Sequence, residues 1–374
     1  MPELQDSTAR PLKFQEIADN LRRAILAGTW AVGQRLPTEQ QLVHSSGYSL
    51  NTVRRALDLL VEEGLAERRQ GAGTFVLPRS SPRTARQTVG VLLPDTSLYY
   101  PRVLHGIEST LSAQRASLQL SSYGYDPGKE DACIEHLLSA GADGLLLVPT
   151  LAGIDDPQAR VEELLRLPVP VVLVERHLAE LGVADRSEHV CSDHAAGAYD
   201  ALAHLHGLGH TRIALLLRGR SPTGVGVAAG YQRAVTDLDL AGELVLRAEV
   251  AQWEAGHAET AIEHIRSWGA TAALVFGDRE AMFVLRAARR HGLRVPEDLA
   301  LVSYDDELAD VADVPLTAVS PPKHRIGRMA AELLLQRLRE GAECPQHQIR
   351  IRPRLVVRES CGAAAPGATA LPPH

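Results

Sequence analysis

Leu36-Pro37-Thr38-Glu39-Gln40-Gln41-Leu42, then Gly47, then Ser49-Leu50-Asn51-Thr52-Val53-Arg54-Arg55-Ala56-Leu57: this stretch decides the fold of the first part of the chain. Thr38 followed three positions later by Gln41 is a capping-box pattern, in which each side chain can bond the other's backbone N–H. It predicts a short helix from there to about Ser46. Gly47 makes a turn, and Ser49 caps a further helix with an inner face of Val53, Ala56, Leu57, Leu60 and Val61, ended by Gly64. Upstream, Phe14, Ile17, Ala18, Leu21, Ile25 and Leu26 recur at three- and four-residue spacing, so a first helix is expected before Gly28. Downstream, residues 65–68 and 74–77 predict two short strands around Gln70-Gly71-Ala72-Gly73. Two short helices joined by a tight turn make the second a recognition helix, whose N-terminal residues enter a DNA major groove.

The exposed positions of that helix are Leu50, Asn51, Thr52, Arg54 and Arg55. The hydroxyls of Ser49 and Thr52 suit phosphate oxygens, and the helix N-terminus adds its own attraction. Arg54 can fork onto a guanine edge, and Asn51 can read adenine. The small-residue tip at Gln70 and Gly71 fits a minor groove. The competing reading is an ordinary hairpin beside a solvated, charged helix face.

The rest of the composition bounds the function. At 374 residues the chain calls for two or three domains, and 45% apolar with 23% charged residues is ordinary globular usage. No apolar run approaches the ~18 residues of a membrane span. Residues 1–10 are polar and lack a signal-peptide core, so a cytoplasmic protein is expected. Residues 1–88 hold 12 Lys and Arg against 9 Asp and Glu, a net of +3 within a total of −7, which leaves −10 for the remainder. A mildly basic head on an acidic body fits a phosphate-binding module joined to one that avoids DNA. Cys133, Cys191, Cys344 and Cys361 are scattered without ligand or disulfide spacing.

Residues 1–77 are thus read as a DNA-binding head and 78–87 as a polar, proline-containing linker. From Thr88 the rhythm changes. Apolar runs at 89–93, 144–148, 169–174, 213–217, 272–276 and 299–303 alternate with helix-period stretches, the pattern of a parallel α/β sheet covered on both faces. About 270 residues exceed one such sheet, so two lobes are expected over 88–361. Residues 362–374, rich in Gly, Ala and Pro, are expected to be disordered.

Enzyme chemistry finds little support. His206 and His210 share a helical face and His204 is near, but no third ligand is evident, so no metal is expected. Residues 219–226 are glycine-bearing yet lack the Gly-Lys-Ser/Thr ending of a phosphate loop. No cofactor is expected. A periplasmic solute-binding protein would have no use for a winged head.

Residues 14–76 resemble the winged helix-turn-helix of GntR-type bacterial regulators. The shared residues are Ile25-x-x-Gly28, Gly33-x-Arg35-Leu36-Pro37-Thr38-Glu39, Ser49-x-x-Thr52-Val53-Arg54-x-Ala56-Leu57, Glu63-Gly64-Leu65 and Gln70-Gly71-x-Gly73-Thr74-Phe75-Val76. The resemblance implies DNA contacts from Arg35, Thr38, Ser49, Thr52 and Arg54, with Gln70 and Gly71 reaching the minor groove. The family usually has arginine after the serine. Leu50 stands there instead and can touch a thymine methyl but cannot pair with guanine.

The body resembles the LacI/GalR-type effector domain, related to periplasmic sugar-binding proteins. It shares Gly90-Val91-Leu92-Leu93-Pro94-Asp95, Gly141-Ala142-Asp143-Gly144, Pro170-Val171-Val172-Leu173-Val174-Glu175-Arg176, Leu208-Gly209-His210, Gly230-Tyr231, Val295-Pro296-Glu297-Asp298 and Ser303-Tyr304-Asp305-Asp306. A GntR-type head on a LacI-type body resembles the arabinose-responsive, AraR-like repressors of bacteria. The implied fold is an α+β winged helix-turn-helix followed by an α/β, two-lobed, doubly wound domain that holds its ligand at the strand C-termini. The residues just beyond those strands, Asp95, Tyr99, Tyr100, Arg176, Asp193, Asp278 and Asp305, are the candidate effector contacts. Two departures bear on the ligand. Val227 stands where the family often has arginine, and Gly277 where it often has asparagine before the aspartate.

The expected protein is therefore a homodimeric regulator of double-stranded operator DNA, a repressor whose affinity answers to a sugar-like effector. The alternatives are the same architecture responding to a non-sugar metabolite, or a corepressor-dependent or activating regulator. Two-fold symmetry doubles the few contacts that one head can make.

Overall fold

The computed structural model describes residues 13–26, 29–62, 64–69, 72–77, 87–151, 153–178, 184–219 and 221–363. Gln70, Gly71, nearly all of the expected linker and the tail from 364 lie outside them. The chain divides into two compact units, 1–86 and 87–374.

In the first unit, α1 (Lys13–Leu26), α2 (Glu39–Ser46) and α3 (Leu50–Glu62) precede an antiparallel hairpin, β1 (Ala66–Arg69) and β2 (Gly73–Val76). The capping box forms as its spacing dictates. Thr38 Oγ1 accepts from the Gln41 N–H at 3.3 Å, and Gln41 Oε1 accepts from the Thr38 N–H at 2.8 Å. Gly47 closes α2 in the left-handed conformation. The apolar stripes meet in one core: Ile17, Ala18 and Leu21 of α1, Leu42 of α2, Val53, Ala56, Leu57 and Leu60 of α3, and Ala66 and Val76 of the hairpin.

The second unit begins with β3 (Thr88–Leu93), α4 (Tyr100–Ala113), β4 (Ser117–Ser122), α5 (Pro127–Ser139), β5 (Gly144–Leu147), α6 (Pro157–Leu165), β6 (Val171–Val174) and β7 (His189–Ser192). It continues with α7 (His194–Gly207), β8 (Ile213–Arg218), α8 (Pro222–Asp237), β9 (Leu244–Ala248), α9 (Val250–Gln252), α10 (Ala258–Trp268), β10 (Ala272–Val275), α11 (Asp278–Arg290), β11 (Ala300–Tyr304) and β12 (Thr317–Ser320). It closes with α12 (Lys323–Glu340), β13 (Gln348–Ile351) and β14 (Arg354–Val356).

The strands form two six-stranded sheets, ordered β13-β7-β6-β5-β3-β4 and β14-β12-β11-β10-β8-β9. All pairings are parallel except β12 with β14. Successive residues of a strand enter cores on opposite faces, as the pleat requires. Leu146 and Val172 pack toward α4 and α12, while Leu145, Leu147 and Leu173 pack toward α5 and α6. In the second sheet Leu216, Ala273 and Leu301 face α10 and α11, and Leu215, Leu274 and Val302 face α7 and α8.

The chain passes between the lobes after Ser192, again between Ser320 and Lys323, and last between Ile351 and Arg354. Helix α12 thereby returns to the first lobe, where Leu334 joins the core. It crosses α4 at backbone contact: a Cβ at Gly327 would overlap the Val103 carbonyl, and one at Gly106 would overlap the His324 carbonyl. Among the described residues no helix is long and apolar enough to cross a membrane.

Candidate functional site

In the head, the N-terminus of α3 is open. Leu50 is 39% exposed, and Asn51 and Arg54 are exposed beside it. The Ser49 and Thr52 hydroxyls lie 2.8 Å apart, and Ser49 Oγ also accepts from the Thr52 N–H at 3.3 Å. Arg54 donates from Nε to Glu39 at 2.8 Å, with no hydrogen bond from its terminal nitrogens among the described residues. Arg55, grouped with the exposed positions by its spacing, stacks on the Phe14 ring at 4.2 Å. Arg35, Thr38, Glu39, Arg68 and Arg69 line a shallow groove that runs to β2. This face can offer hydroxyls, a helix N-terminus and several guanidinium groups to a phosphate backbone.

In the body, the strand C-termini of both lobes converge. On the first lobe, Glu175 follows β6 with φ +54, which turns its side chain inward. Its carboxylate accepts from the Ser192 N–H at 2.9 Å, from Ser192 Oγ at 3.0 Å and from the Tyr99 hydroxyl. His194 Nε2 lies 3.6 Å away. Burial alone would raise the pKa of this carboxyl, but the neighbouring His194 and the bonds from Ser192 and Tyr99 outweigh it and hold the pKa at about 2. Arg176 is equally engaged, donating to the carbonyls of Pro149 at 3.1 Å and Glu175 at 2.7 Å and reaching the Tyr100 hydroxyl at 3.5 Å. Tyr99 and Tyr100 meet edge to face at 5.4 Å. Burial pushes both phenols up.

On the second lobe, Tyr304 ends β11 and its hydroxyl lies 3.1 Å from His194 Nδ1, which links the lobes at the first crossing. Lys323, the first residue of α12, is buried against the Tyr99 ring, pairs with Glu307 at 2.6 Å and donates to the Asp305 carbonyl. Arg102 of α4 reaches Glu307 at 3.4 Å.

The seven carboxylates, phenols and guanidinium expected here do not stand alike. Tyr99, Tyr100 and Arg176 come together on the first lobe. Asp95 accepts from Ser97 N–H and Oγ at 2.7 and 3.0 Å, and so holds its own turn. Asp193 caps α7 through the Ala196 N–H at 2.9 Å. Asp278 accepts from Ser303 Oγ at 2.6 Å and from the Glu307 and Leu308 N–H groups at 2.6 and 2.9 Å, and thereby fixes the loop after β11. Asp305, at φ +96, differs: no group among the described residues hydrogen-bonds its carboxylate. Burial and the nearby Asp278 push it up to about 6, against the pull of Lys323 and Arg218. Glu175, His194, Glu307 and Lys323 were not singled out from the sequence. The first two each adjoin a residue that was.

His204 faces Cys361 at 3.3 Å and His210 faces Thr271 at 2.8 Å. Among the described residues no group of three His, Cys, Asp or Glu side chains is placed to hold a metal ion.

Comparison with known proteins fits these two sites. Residues 13–76 match the bacterial regulatory proteins of the gntR family, and residues 202–361 match the periplasmic binding protein-like domain. The chain is 29% identical over 357 residues to the arabinose metabolism transcriptional repressor of Geobacillus stearothermophilus, covering 93% of this chain and 97% of that protein. It is 32% identical over 289 residues to the HTH-type transcriptional regulator MalR of Streptomyces coelicolor, covering 75% and 81%. Among solved structures, a regulatory protein of the LacI family from Chloroflexus aggregans is similar, with 27% identity, a TM-score of 0.64 and coverage of 73% and 98%.

Proposed function

Because the chain belongs to the bacterial transcription regulators that join a gntR-type DNA-binding domain to a periplasmic binding protein-like, effector-binding domain, we propose that it is a cytoplasmic, homodimeric repressor released from its operator by a sugar. In this reading the domains are 1–77, 78–87 and 88–361, followed by a tail over 362–374. The observation that carries the effector half is Asp305, a carboxylate just beyond the C-terminal end of a central strand with no hydrogen-bond partner among the described residues, whose charge bears on Tyr99 and Tyr304. A carboxylate accepts hydrogen bonds from sugar hydroxyls, and tyrosine rings cover the apolar face of a sugar. Asp95, Tyr99, Tyr100, Arg176, Asp193 and Asp278 complete the proposed site, some of them by holding its loops. The arabinose-metabolism relative supports a sugar in particular.

In the head, Arg35, Thr38, Ser49, Leu50, Asn51, Thr52, Arg54, Gln70 and Gly71 are the proposed DNA contacts. Two heads on a two-fold axis read half-sites about one helical turn apart. Ligand closes the lobes because both walls must replace the water that it loses. It releases DNA only in so far as it prefers the closed, DNA-incompetent state.

A mobility-shift titration of the full chain on DNA upstream of its own gene, with and without L-arabinose, D-galactose, D-xylose and D-ribose, tests this. Release by at least one sugar is expected, and retention with all of them removes the sugar reading. Arg54→Ala should weaken operator binding by about 1–3 kcal/mol and relax one symmetric base position. An equal loss on random DNA would reduce Arg54 to a phosphate contact.

A further inference from the structure

Gly277 and Val227 occupy the two positions where the resemblance leads one to look for polar side chains on the second lobe. Neither supplies one. Val227 is fully buried in the core between the sheet and α7 and α8. Gly277 sits between β10 and α11 with φ +103. A Cβ added there would overlap Glu280 Oε2. Glu280, in the first turn of α11, therefore folds its side chain back over residue 277 and places a carboxylate where a side chain at 277 would begin.

Glu280 is 1% exposed, and its Oε2 has no hydrogen-bond partner among the described residues. Its Oε1 lies 3.6 Å from Arg218 Nη1. Arg218 ends β8, the strand beside β10, and its guanidinium lies 5.5 Å from the centre of the Phe276 ring. Its charge also bears on Asp305. The polar group missing at 277 is thus supplied again from 280, as a carboxylate facing the Arg218 guanidinium.

The replacement changes the chemistry. An asparagine amide both donates and accepts, whereas a carboxylate only accepts. With the half-buried Asp305, the second lobe holds two carboxylates with acceptor sites unfilled among the described residues, and the charge of Arg218 bears on both. A buried acceptor without a donor is costly, so this wall favours a ligand rich in donors and disfavours one that brings a further negative charge.

We propose that Glu280, held by Arg218, is a specificity-determining residue of the effector site, and that it selects an uncharged sugar through its hydroxyl donors and rejects phosphorylated sugars. This rests on the sugar reading above. Two experiments separate the claims. Titration calorimetry of the full chain compares L-arabinose, D-galactose, D-xylose and D-ribose with the 5-phosphates of arabinose and ribose and with D-galactosamine. The neutral sugar that binds should lose at least tenfold affinity in both Glu280→Gln and Glu280→Met, and its phosphate ester should bind the natural protein at least tenfold more weakly. Affinity within twofold of the natural protein in either variant overturns the role of Glu280. A phosphate ester or amino sugar that binds more tightly than its neutral parent overturns the selection for an uncharged ligand.

The second experiment needs no ligand. Gly277→Ala should lower Tm, and lower it less on a Glu280→Ala background, because the overlapping carboxylate is gone. Equal losses on both backgrounds overturn the placement of Glu280. If no sugar binds, the sugar reading and the ligand half of this inference both fall, while the Tm comparison still decides the geometry.

Discussion

The two walls that face each other across the lobes are built on opposite principles. On the first lobe Glu175 and Arg176 are each held by three or more groups, and the tyrosines around them are locked by those bonds. On the second lobe Asp278 is equally engaged, but Asp305 and Glu280 keep acceptor sites that no group among the described residues fills. A saturated wall keeps its shape without ligand and contributes stability. A wall with unmet acceptors costs stability and recovers it when donors arrive. The difference assigns shape to one lobe and appetite to the other.

Breaking the saturated wall should have the largest effect. Glu175→Gln removes a carboxylate held near 2, a depressed value for a buried group. It should cost about 3 kcal/mol of stability at neutral pH, read by chemical denaturation. The sign fixes the pH window. The contribution is complete above the unfolded value of 4.5 and is lost as pH falls toward 2, so the variant and the natural protein should converge in acid. A constant difference from pH 7 to pH 3 would deny the charge its role.

On the other wall, Asp305→Ala should weaken sugar binding by about 1.5–3 kcal/mol, tenfold to a hundredfold, in calorimetry. An unchanged ligand response would remove Asp305 from the site. Its stability effect should have the opposite sign to that of Glu175. Asp305 is raised to about 6 from 3.8, so in the fold it holds its proton more tightly, and its ionisation weakens the fold as pH rises from 3.8 to 6. Asp305→Asn should therefore stabilise the ligand-free protein by about 1–2 kcal/mol above pH 6, since part of the residue reaches solvent, with the gain vanishing below pH 4. Destabilisation at pH 8 would break the comparison. Tyr99→Phe sharpens it least: losing one hydroxyl from the shared Glu175 site should cost about 1 kcal/mol, measured as a shift in denaturation midpoint.

The sequence makes some of this plain and hides the rest for physical reasons. The strands at the middle of each sheet are continuous apolar runs because both faces are buried. Strands β4 and β9 lie at sheet edges, and their alternating or polar residues, such as Ser117-Leu118-Gln119-Leu120-Ser121-Ser122, do not form such runs. Strands β7 and β12 are interior yet carry His189, Ser192, Thr317 and Ser320, buried polar residues that read as loop until their partners are known. The site follows the same pattern. Residues after strands could be named, but not which of two neighbours points inward. The left-handed backbone at Glu175 sends that side chain to the tyrosines, and His194 rather than Asp193 bridges to Tyr304. Glu280 left one trace in the sequence, the glycine at 277, whose meaning needed three dimensions.

The route of the chain between the lobes also sets an order of birth. Strand β13, which completes the first sheet, begins at Gln348, 156 positions after β7 ends at Ser192. At roughly 5–20 residues per second a ribosome needs about 8–30 s to cover that distance. For most of that interval, until Lys323–Glu340 emerges, the seat of α12, floored by Val91, Leu146 and Val172, stays uncovered on a lobe whose strands up to β7 are already made. The nascent first lobe is a half-built room waiting for its last wall, and the apolar floor is what a chaperone would find.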